Sequence, residues 1–173
     1  MTDQNACAHL ADDMAEAHEF YQNVMAEKIN PLDVMMQMQA SLQTELCRRY
    51  PNRCDSLDPN NQGTCGGLLD FLRLQDDFIA DETRELYTSL GGASNGKDAS
   101  AIWKPWKGTH EERRLTHFSD LSESDQLEVK FEMVDAFHFI MNKFIALGMS
   151  GEEIFKLYYL KNAENFKRQE RGY

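Results

Sequence analysis

The sequence SESDQLEVKFEMVDAFHFIMNKFIALG, residues 122–148, decides the fold class of this chain. Its apolar residues recur every three or four positions, which is the period of an α-helix packed on one face. Ser122 precedes Asp125 by three residues, as at a capped helix start, and Gly148 is a residue type that ends helices. The stretch therefore predicts a long helix from Ser122 to Leu147.

Helical periodicity also dominates the remaining chain, and no segment shows the sustained alternation of a strand. Further helices are predicted from Asp3 to about Lys28, Pro31 to about Arg49, Leu68 to Leu90, and Ser150 to about Arg168. Residues 51–67 are rich in Pro, Asn, Gly and Asp, which predicts a loop. We therefore expect an all-α helical bundle, one domain over residues 1–173, in which a central four-helix unit holds the functional site.

The composition is that of an acidic globular protein. With 173 residues, 42% of them hydrophobic, the chain is long enough for one domain with a core. Its formal net charge of −11 disfavours direct nucleic-acid binding, since nucleic-acid phosphates attract Lys and Arg. The sequence shows neither a signal segment nor an apolar run long enough for a membrane span. We expect a cytoplasmic protein whose four cysteines are reduced.

Two acid pairs, Glu82-Thr-Arg-Glu85 and Glu132-Met-Val-Asp135, lie within helical segments. A spacing of three puts both carboxylates of a pair on one helix face, one turn apart. Asp135 stands in an almost wholly apolar run, so it is expected to be partly buried, and a buried charge needs a compensating partner. Four such carboxylates suit a hard cation such as Mg²⁺. Glu128, one turn before Glu132, is a candidate outer group or further ligand, and solvated helix faces are the alternative for all these acids.

The basic C-terminal segment is a candidate phosphate site. Lys161, Asn165 and Arg168 are spaced four and three residues apart and share one helix face. The planar guanidinium of Arg suits phosphate oxygens, and Lys adds a point charge. The alternative is a basic last turn that the helix dipole favours.

Three further features are candidates for substrate contacts. The string Trp103-Lys-Pro-Trp-Lys107 offers rings that stack on bases and lysines that reach phosphates, although packing is the commoner use of Trp. Gln39 lies in a methionine-rich helix, where an amide offers both donor and acceptor to a base; a solvated glutamine is the alternative. His138 follows Asp135 by three residues and is either a partner of that carboxylate or a core histidine.

These motifs, in this order, resemble the all-α nucleoside triphosphate pyrophosphatase superfamily, which includes the dimeric dUTPases and the MazG-like proteins. Its signature of E-x-x-E followed by E-x-x-D matches the two acid pairs. The dimeric dUTPases also carry a W-K-x-W-K string after the first pair, as in residues 103–107 here. Their late K-N-x-x-N-x-x-R-Q-x-x-G-Y motif is matched at every fixed position by residues 161–173.

The segment from Asp81 to Gly91, the chain length and the C-terminal motif resemble, more narrowly, the dCTP pyrophosphatases of T-even-type bacteriophages. This resemblance implies Mg²⁺-dependent hydrolysis, with Mn²⁺ as a substitute, of dCTP, dUTP and their diphosphates to monophosphates. It implies removal of these nucleotides from the pool during phage DNA synthesis, in the host bacterial cytoplasm. The implied catalytic residues and metal ligands are Glu82, Glu85, Glu132 and Asp135. The implied substrate-binding residues are Gln39, Trp103, Lys104, Lys107, His138, Lys161, Asn162, Asn165, Arg168 and Tyr173.

The chain departs from the dimeric dUTPases in two places. It has an insertion over Gly91–Ala99 and lacks extra helical segments between the second acid pair and the C-terminal motif. A lone chain would expose much of its apolar first and fifth helices, the fifth being the one from Ser150 to about Arg168, so we expect a homodimer. The alternatives in function are a non-enzymatic helical interaction protein and a broad house-cleaning nucleoside triphosphate pyrophosphatase.

Overall fold

A computed structural model of the chain describes residues 7–92 and 108–172. These residues form seven α-helices and three short 3-10 helices, so the predicted all-α fold class is confirmed. None of the helices in the described ranges is both long and apolar enough to cross a lipid bilayer. The α-helices are α1 (Met14–Ala26), α2 (Pro31–Arg49), α3 (Cys54–Leu57), α4 (Cys65–Ser89), α5 (Gly108–Leu115), α6 (Glu123–Ala146) and α7 (Gly151–Glu170).

Side-chain caps set the starts of the two C-terminal helices. The Ser122 hydroxyl accepts the backbone N–H of Asp125 at 3.1 Å, and the Ser150 hydroxyl accepts that of Glu153 at 3.2 Å. Each bond satisfies a donor that the first helical turn leaves without a partner. α6 ends just before Gly148, whose φ of 68° lies in the left-handed region that glycine adopts without strain. The predicted bounds of both helices are confirmed to within two residues.

The predicted loop over residues 51–67 is wrong in part, because it contains helical turns. A 3-10 helix, Pro51–Arg53, and α3 lie within it, and α4 begins at Cys65, earlier than predicted. The Thr64 hydroxyl accepts the backbone N–H of Gly67 at 3.1 Å. This cap extends the helix over glycines whose intrinsic helix propensity is low.

The predicted N-terminal helix is shorter than expected. Its residues before position 7 lie outside the described ranges, and a 3-10 helix, Ala8–Asp13, precedes α1. α1 ends ahead of Lys28, which has a φ of 56°. Met14 and Tyr21 are 53% and 49% exposed, so much of the apolar surface of α1 faces solvent in the single chain.

The chain separates into two compact units. The first unit contains the chain up to Glu19 together with Leu72–Ile140, and the second contains Phe20–Phe71 and the chain from Met141 onward. Each unit has buried residues of its own. They include Gln75, Val129 and Ala136 in the first, and Val24, Met36, Gln39, Gln43, Phe71, Met141 and Asn142 in the second. The assignment of the whole chain to a single domain stays a prediction.

The buried face of α2 is partly polar, because Gln39 and Gln43 are buried on it together with Met36. Gln39 and Gln43 are 4% and 6% exposed, whereas Met38 and Leu42 are 58% and 46% exposed. The Gln39 side-chain nitrogen donates to the Asn142 side-chain oxygen at 2.9 Å, which supports burial of both amides. The alternative of a solvated Gln39 is therefore wrong.

Candidate divalent-metal site

The four acids of the two sequence motifs line one cavity in the first unit. Glu82 and Glu85 lie on α4, and Glu132 and Asp135 lie on α6. Carboxylate oxygens of Glu82, Glu132 and Asp135 all lie within 4.8 Å of one another, and Glu85 lines the same cavity of about 260 Å³. The three-residue spacing predicts that each helix carries two carboxylates on one face. The structure brings these two faces together at one cavity.

An aromatic contact joins α4 and α6 beside the carboxylates. The rings of Phe78 and Phe139 lie 5.0 Å apart between centroids, at an interplanar angle of 36°. Phe78 is one turn before Glu82, and Phe139 is one turn after Asp135, as in antiparallel helices. Such aromatic pairs contribute about 0.5–1.5 kcal/mol beyond their area burial. This contact therefore helps to hold the two acid-bearing faces together.

The carboxylates carry more negative charge than their surroundings neutralise. Burial, followed by the charges of Glu85 and Asp135, raises the pKa of Glu82. Burial and the neighbouring carboxylates, of which Glu85 contributes most, raise the pKa of Glu132 from near 4.5 to about 7. Both shifts arise because the charged form is partly desolvated and repelled. A bound cation would reverse both effects.

The donor chemistry of this cavity fits Mg²⁺. The three closest potential ligands are carboxylate oxygens, the donors that Mg²⁺ prefers, and they come from rigid helices. The acids of one helix face those of the other, so that a cation bound there would screen their repulsion. Mn²⁺ accepts the same hard oxygen donors.

His138 lies beside the acids rather than in the core. Its Nδ1 is 3.7 Å from Asp135 Oδ1, and its side chain is 41% exposed and lines the cavity. The alternative of a core histidine is therefore wrong.

Asp81, the residue before Glu82, is exposed and forms an ion pair with Arg84 on the same helix.

Three residues that line the cavity were not predicted as site residues: Phe131, Phe139 and Cys7. Cys7 is the most distant of them along the chain. Its backbone N–H donates to Glu128 Oε2 at 2.9 Å, and both residues line the cavity. The two residues are 121 positions apart, and no motif surrounds Cys7, so the sequence carries no local signal for the contact. The structure thus adds the N-terminal turn to the surroundings of the four acids and places Glu128, a candidate from the sequence, at the same cavity.

The other predicted substrate-binding residues do not line this cavity in the described part of the chain. Arg168 lies on α7 with its Nε 3.6 Å from Glu164 Oε1, and Gln39 is buried in the second unit. Exposed positions on α7 are occupied by Lys161, Asn162 and Asn165. Four predicted residues lie outside the described ranges: Trp103, Lys104, Lys107 and Tyr173.

A second group of possible metal ligands has a different chemistry. The Sγ atoms of Cys47 and Cys54 and a carboxylate oxygen of Asp58 lie within 4.8 Å of one another. The Cys47 thiol lies 3.8 Å from the backbone oxygen of Cys54, and burial raises its pKa to about 12. Two sulfur donors and one carboxylate suit softer metals than Mg²⁺, so this group is not the candidate Mg²⁺ site. None of the four cysteines, all of which lie in the described ranges, forms a disulfide.

The first unit contains a further cavity, of about 340 Å³, with a different character. Its described lining is aromatic, aliphatic and basic, and includes Tyr87, Phe118 and Arg113. Arg113 donates to Asp125 Oδ1 at 2.9 Å, so its charge is partly neutralised. The carboxylate-lined cavity is the better candidate for metal chemistry.

The raised pKa of Glu132 predicts how the stability of the metal-free protein depends on pH. Glu132 ionises near pH 4.5 when unfolded but keeps its proton to about pH 7 when folded. The folded state therefore binds more protons in this window, and the free energy of unfolding falls as pH rises through it. In thermal melts with chelator, the wild-type Tm should fall with pH relative to Glu132→Gln, which lacks this titration. The same pH dependence of Tm in both proteins would contradict the raised pKa of Glu132.

Comparison with known proteins finds close relatives along almost the whole chain. A dCTP pyrophosphatase of Enterobacteria phage LZ5 is 58% identical over 170 residues, 98% of both chains. A dCTP pyrophosphatase of Enterobacteria phage T4 is 47% identical over 172 residues, again 98% of both. A DNA replication protein of phage T4 is 47% identical over 161 residues, which cover 91% of this chain but 40% of that protein. No protein-family model and no solved structure matches the chain.

Proposed function

The chain belongs to the family of dCTP pyrophosphatases of T-even-type bacteriophages, and on this premise we propose that it hydrolyses dCTP and dUTP to their monophosphates with Mg²⁺ as cofactor. The observation that carries the proposal is the cluster of Glu82, Glu132 and Asp135 oxygens within 4.8 Å of one another. The names of the phage relatives support dCTP as a substrate. The motifs shared with the dimeric dUTPases support dUTP, and the diphosphates dCDP and dUDP are proposed as further substrates.

The roles of the acids follow from their placement. Glu82 and Glu85 on α4 and Glu132 and Asp135 on α6 hold the cation through carboxylate oxygens. When bound, Mg²⁺ supplies Lewis-acid polarisation of the phosphate and charge neutralisation. One of the two α4 carboxylates accepts the proton of the attacking water, which needs a base within hydrogen-bond reach. His138, whose Nδ1 lies 3.7 Å from Asp135 Oδ1, is assigned the orientation of that carboxylate.

The remaining substrate contacts are assigned by residue chemistry. Lys161 and Arg168, together with Lys104 and Lys107, bind phosphate oxygens as charge-assisted donors. An amide, that of Gln39 or Asn162, recognises the pyrimidine edge, because it both donates and accepts. The contacts assigned from the family resemblance alone are those of Trp103, Asn165 and Tyr173.

The protein is further proposed to act as a homodimer in the host bacterial cytoplasm. Apolar exposure in the single chain supports the dimer. It is greatest on α7, where Phe155, Tyr158 and Tyr159 are 70%, 71% and 66% exposed. Contiguous apolar surface of this kind marks protein interaction sites. The net charge of −11 speaks against direct binding to nucleic acid.

A substrate panel tests the proposed base selectivity. With Mg²⁺ present, dCTP and dUTP should be hydrolysed, whereas dTTP, dATP and CTP should be poor substrates. A pocket closed over the pyrimidine C5 edge would clash with the thymine methyl at a cost of about 1–3 kcal/mol, or about 5- to 150-fold in rate. The measurement is kcat/KM for each nucleotide, from monophosphate formation.

Two results of this panel would redirect the proposal. Equal hydrolysis of dTTP or dATP and dCTP would favour a broad house-cleaning pyrophosphatase. Absence of hydrolysis for every nucleotide across a magnesium titration would favour a non-enzymatic interaction protein.

Arg168→Ala provides an internal check, because it should weaken triphosphate binding more than nucleoside binding.

A further inference from the structure

A backbone donor of the N-terminal turn contacts the carboxylate cavity. Cys7 immediately precedes the 3-10 helix Ala8–Asp13, and its carbonyl accepts the backbone N–H of Leu10 at 2.9 Å. Its own N–H lies 2.9 Å from Glu128 Oε2 and 3.3 Å from Glu128 Oε1. At the start of a helix such an N–H has no partner within the helix, so a carboxylate is a suitable acceptor.

Glu128 belongs to the same acidic surface as the proposed ligands. It lies on α6 one turn before Glu132, and therefore on the same helix face. It lines the cavity together with Glu132 and Asp135. Its charge is among the causes that raise the pKa of Glu132, so the two carboxylates interact electrostatically. The Cys7 bond thus anchors a fifth carboxylate at the edge of the cation site.

We propose that Glu128 is a positioning carboxylate of the divalent-cation site and that the backbone N–H of Cys7 holds it there. The inference rests on the proposed metal-dependent hydrolysis and adds an element that the two acid motifs do not contain. The charge of Glu128 strengthens cation binding without requiring direct contact. The N-terminal turn of the folded chain thereby contributes to metal affinity through a main-chain donor.

Residues that do not bind a metal themselves, but orient its ligands or add charge near them, usually affect the affinity for the metal. Their replacement typically lowers metal affinity about 10- to 100-fold. Glu128→Gln keeps the size of the side chain and an oxygen that accepts from Cys7, but removes the charge. It should therefore weaken Mn²⁺ binding about 10-fold. Glu123→Gln is the matched control, because Glu123 lies on the same helix and is exposed.

The anchor is tested separately at position 7. Cys7→Pro removes the backbone N–H, whereas Cys7→Ala removes the thiol and keeps the N–H. We expect weaker Mn²⁺ binding in Cys7→Pro than in Cys7→Ala. Hydrogen exchange gives a second readout: the peptide covering residues 7–13 should exchange faster in Glu128→Ala than in wild type, because its contact with α6 is lost.

The experiment is Mn²⁺ titration of the full chain without nucleotide, followed by calorimetry or by the EPR signal of free Mn²⁺. Unchanged affinity in Glu128→Gln, or equal affinities in Cys7→Pro and Cys7→Ala, would overturn the proposal. Glu132→Gln distinguishes this failure from a failure of the proposed function. If wild type does not bind Mn²⁺, or if Glu132→Gln binds it as wild type does, the metal site itself is wrong. If Glu132→Gln alone loses binding, only the role of Glu128 and Cys7 is rejected.

Discussion

Replacing Glu132 by Gln is expected to reduce dCTP hydrolysis about 100- to 1000-fold, the loss typical of removing one electrostatic group from a catalytic centre. The substitution keeps the size of the side chain but removes one of three carboxylates whose oxygens lie within 4.8 Å of one another. Asp135→Asn should behave alike, because it removes a second member of the same cluster. The measurement is kcat/KM for dCTP with saturating Mg²⁺.

The control for this prediction is Glu123→Gln, which makes the same change at an exposed position of α6. It should leave hydrolysis at the wild-type level. Circular dichroism should show unchanged helix content in all three variants, since none removes a helix cap or a core contact. The metal-free Glu132→Gln protein should also melt at a higher temperature than wild type near neutral pH, because a repelled charge is gone. Wild-type hydrolysis by Glu132→Gln would mean that this acid is not a ligand.

Removal of divalent cations is expected to abolish hydrolysis, and Mg²⁺ or Mn²⁺ is expected to restore it. The proposed site offers only carboxylate oxygens among its closest donors, which suit hard cations, and phosphate transfer depends on neutralising charge. The assay compares dCTP hydrolysis in excess EDTA, after removal of EDTA, and after addition of each metal. Full turnover in excess EDTA would eliminate the mechanism.

Metal binding should also be visible without substrate. A cation that binds the folded chain raises its stability according to its concentration and affinity. Mg²⁺ should therefore raise the wild-type Tm, and the rise should be smaller in Glu132→Gln. An equal rise in both proteins would indicate that the cation binds elsewhere, even if hydrolysis depends on it.

The sequence predicted the helices well where the signals are local. The bounds of α6 and α7 follow from apolar periodicity and from the caps of Ser122 and Ser150, whose bonds span three residues. The short helical turns within residues 51–67 were not predicted, because such turns depend on nearby contacts more than on composition. Thr64, whose hydroxyl caps α4, is a local signal for the start of that helix, next to glycines that disfavour helix.

The burial of α2 shows where periodicity misleads. Its methionines and leucines predict an apolar buried face. The structure buries Met36, but beside it buries Gln39 and Gln43 and exposes Met38 and Leu42. A buried amide is stable only if another group satisfies its hydrogen bonds, and Asn142, distant in the sequence, accepts from Gln39. The apolar residues that remain exposed are available for a partner chain.

By itself, the sequence determined the fold class, the family, and the helix faces that carry the two acid pairs, since each depends on spacings of a few residues. Only the tertiary structure decided that Glu82, Glu132 and Asp135 converge and that Cys7 holds Glu128 from 121 positions away. It also decided that burial and neighbouring carboxylates raise the pKa of Glu132 to about 7. The physical reason is the same in each case: helix periods and caps are local properties of the chain. Convergence, burial and electrostatic repulsion depend on which distant residues pack together.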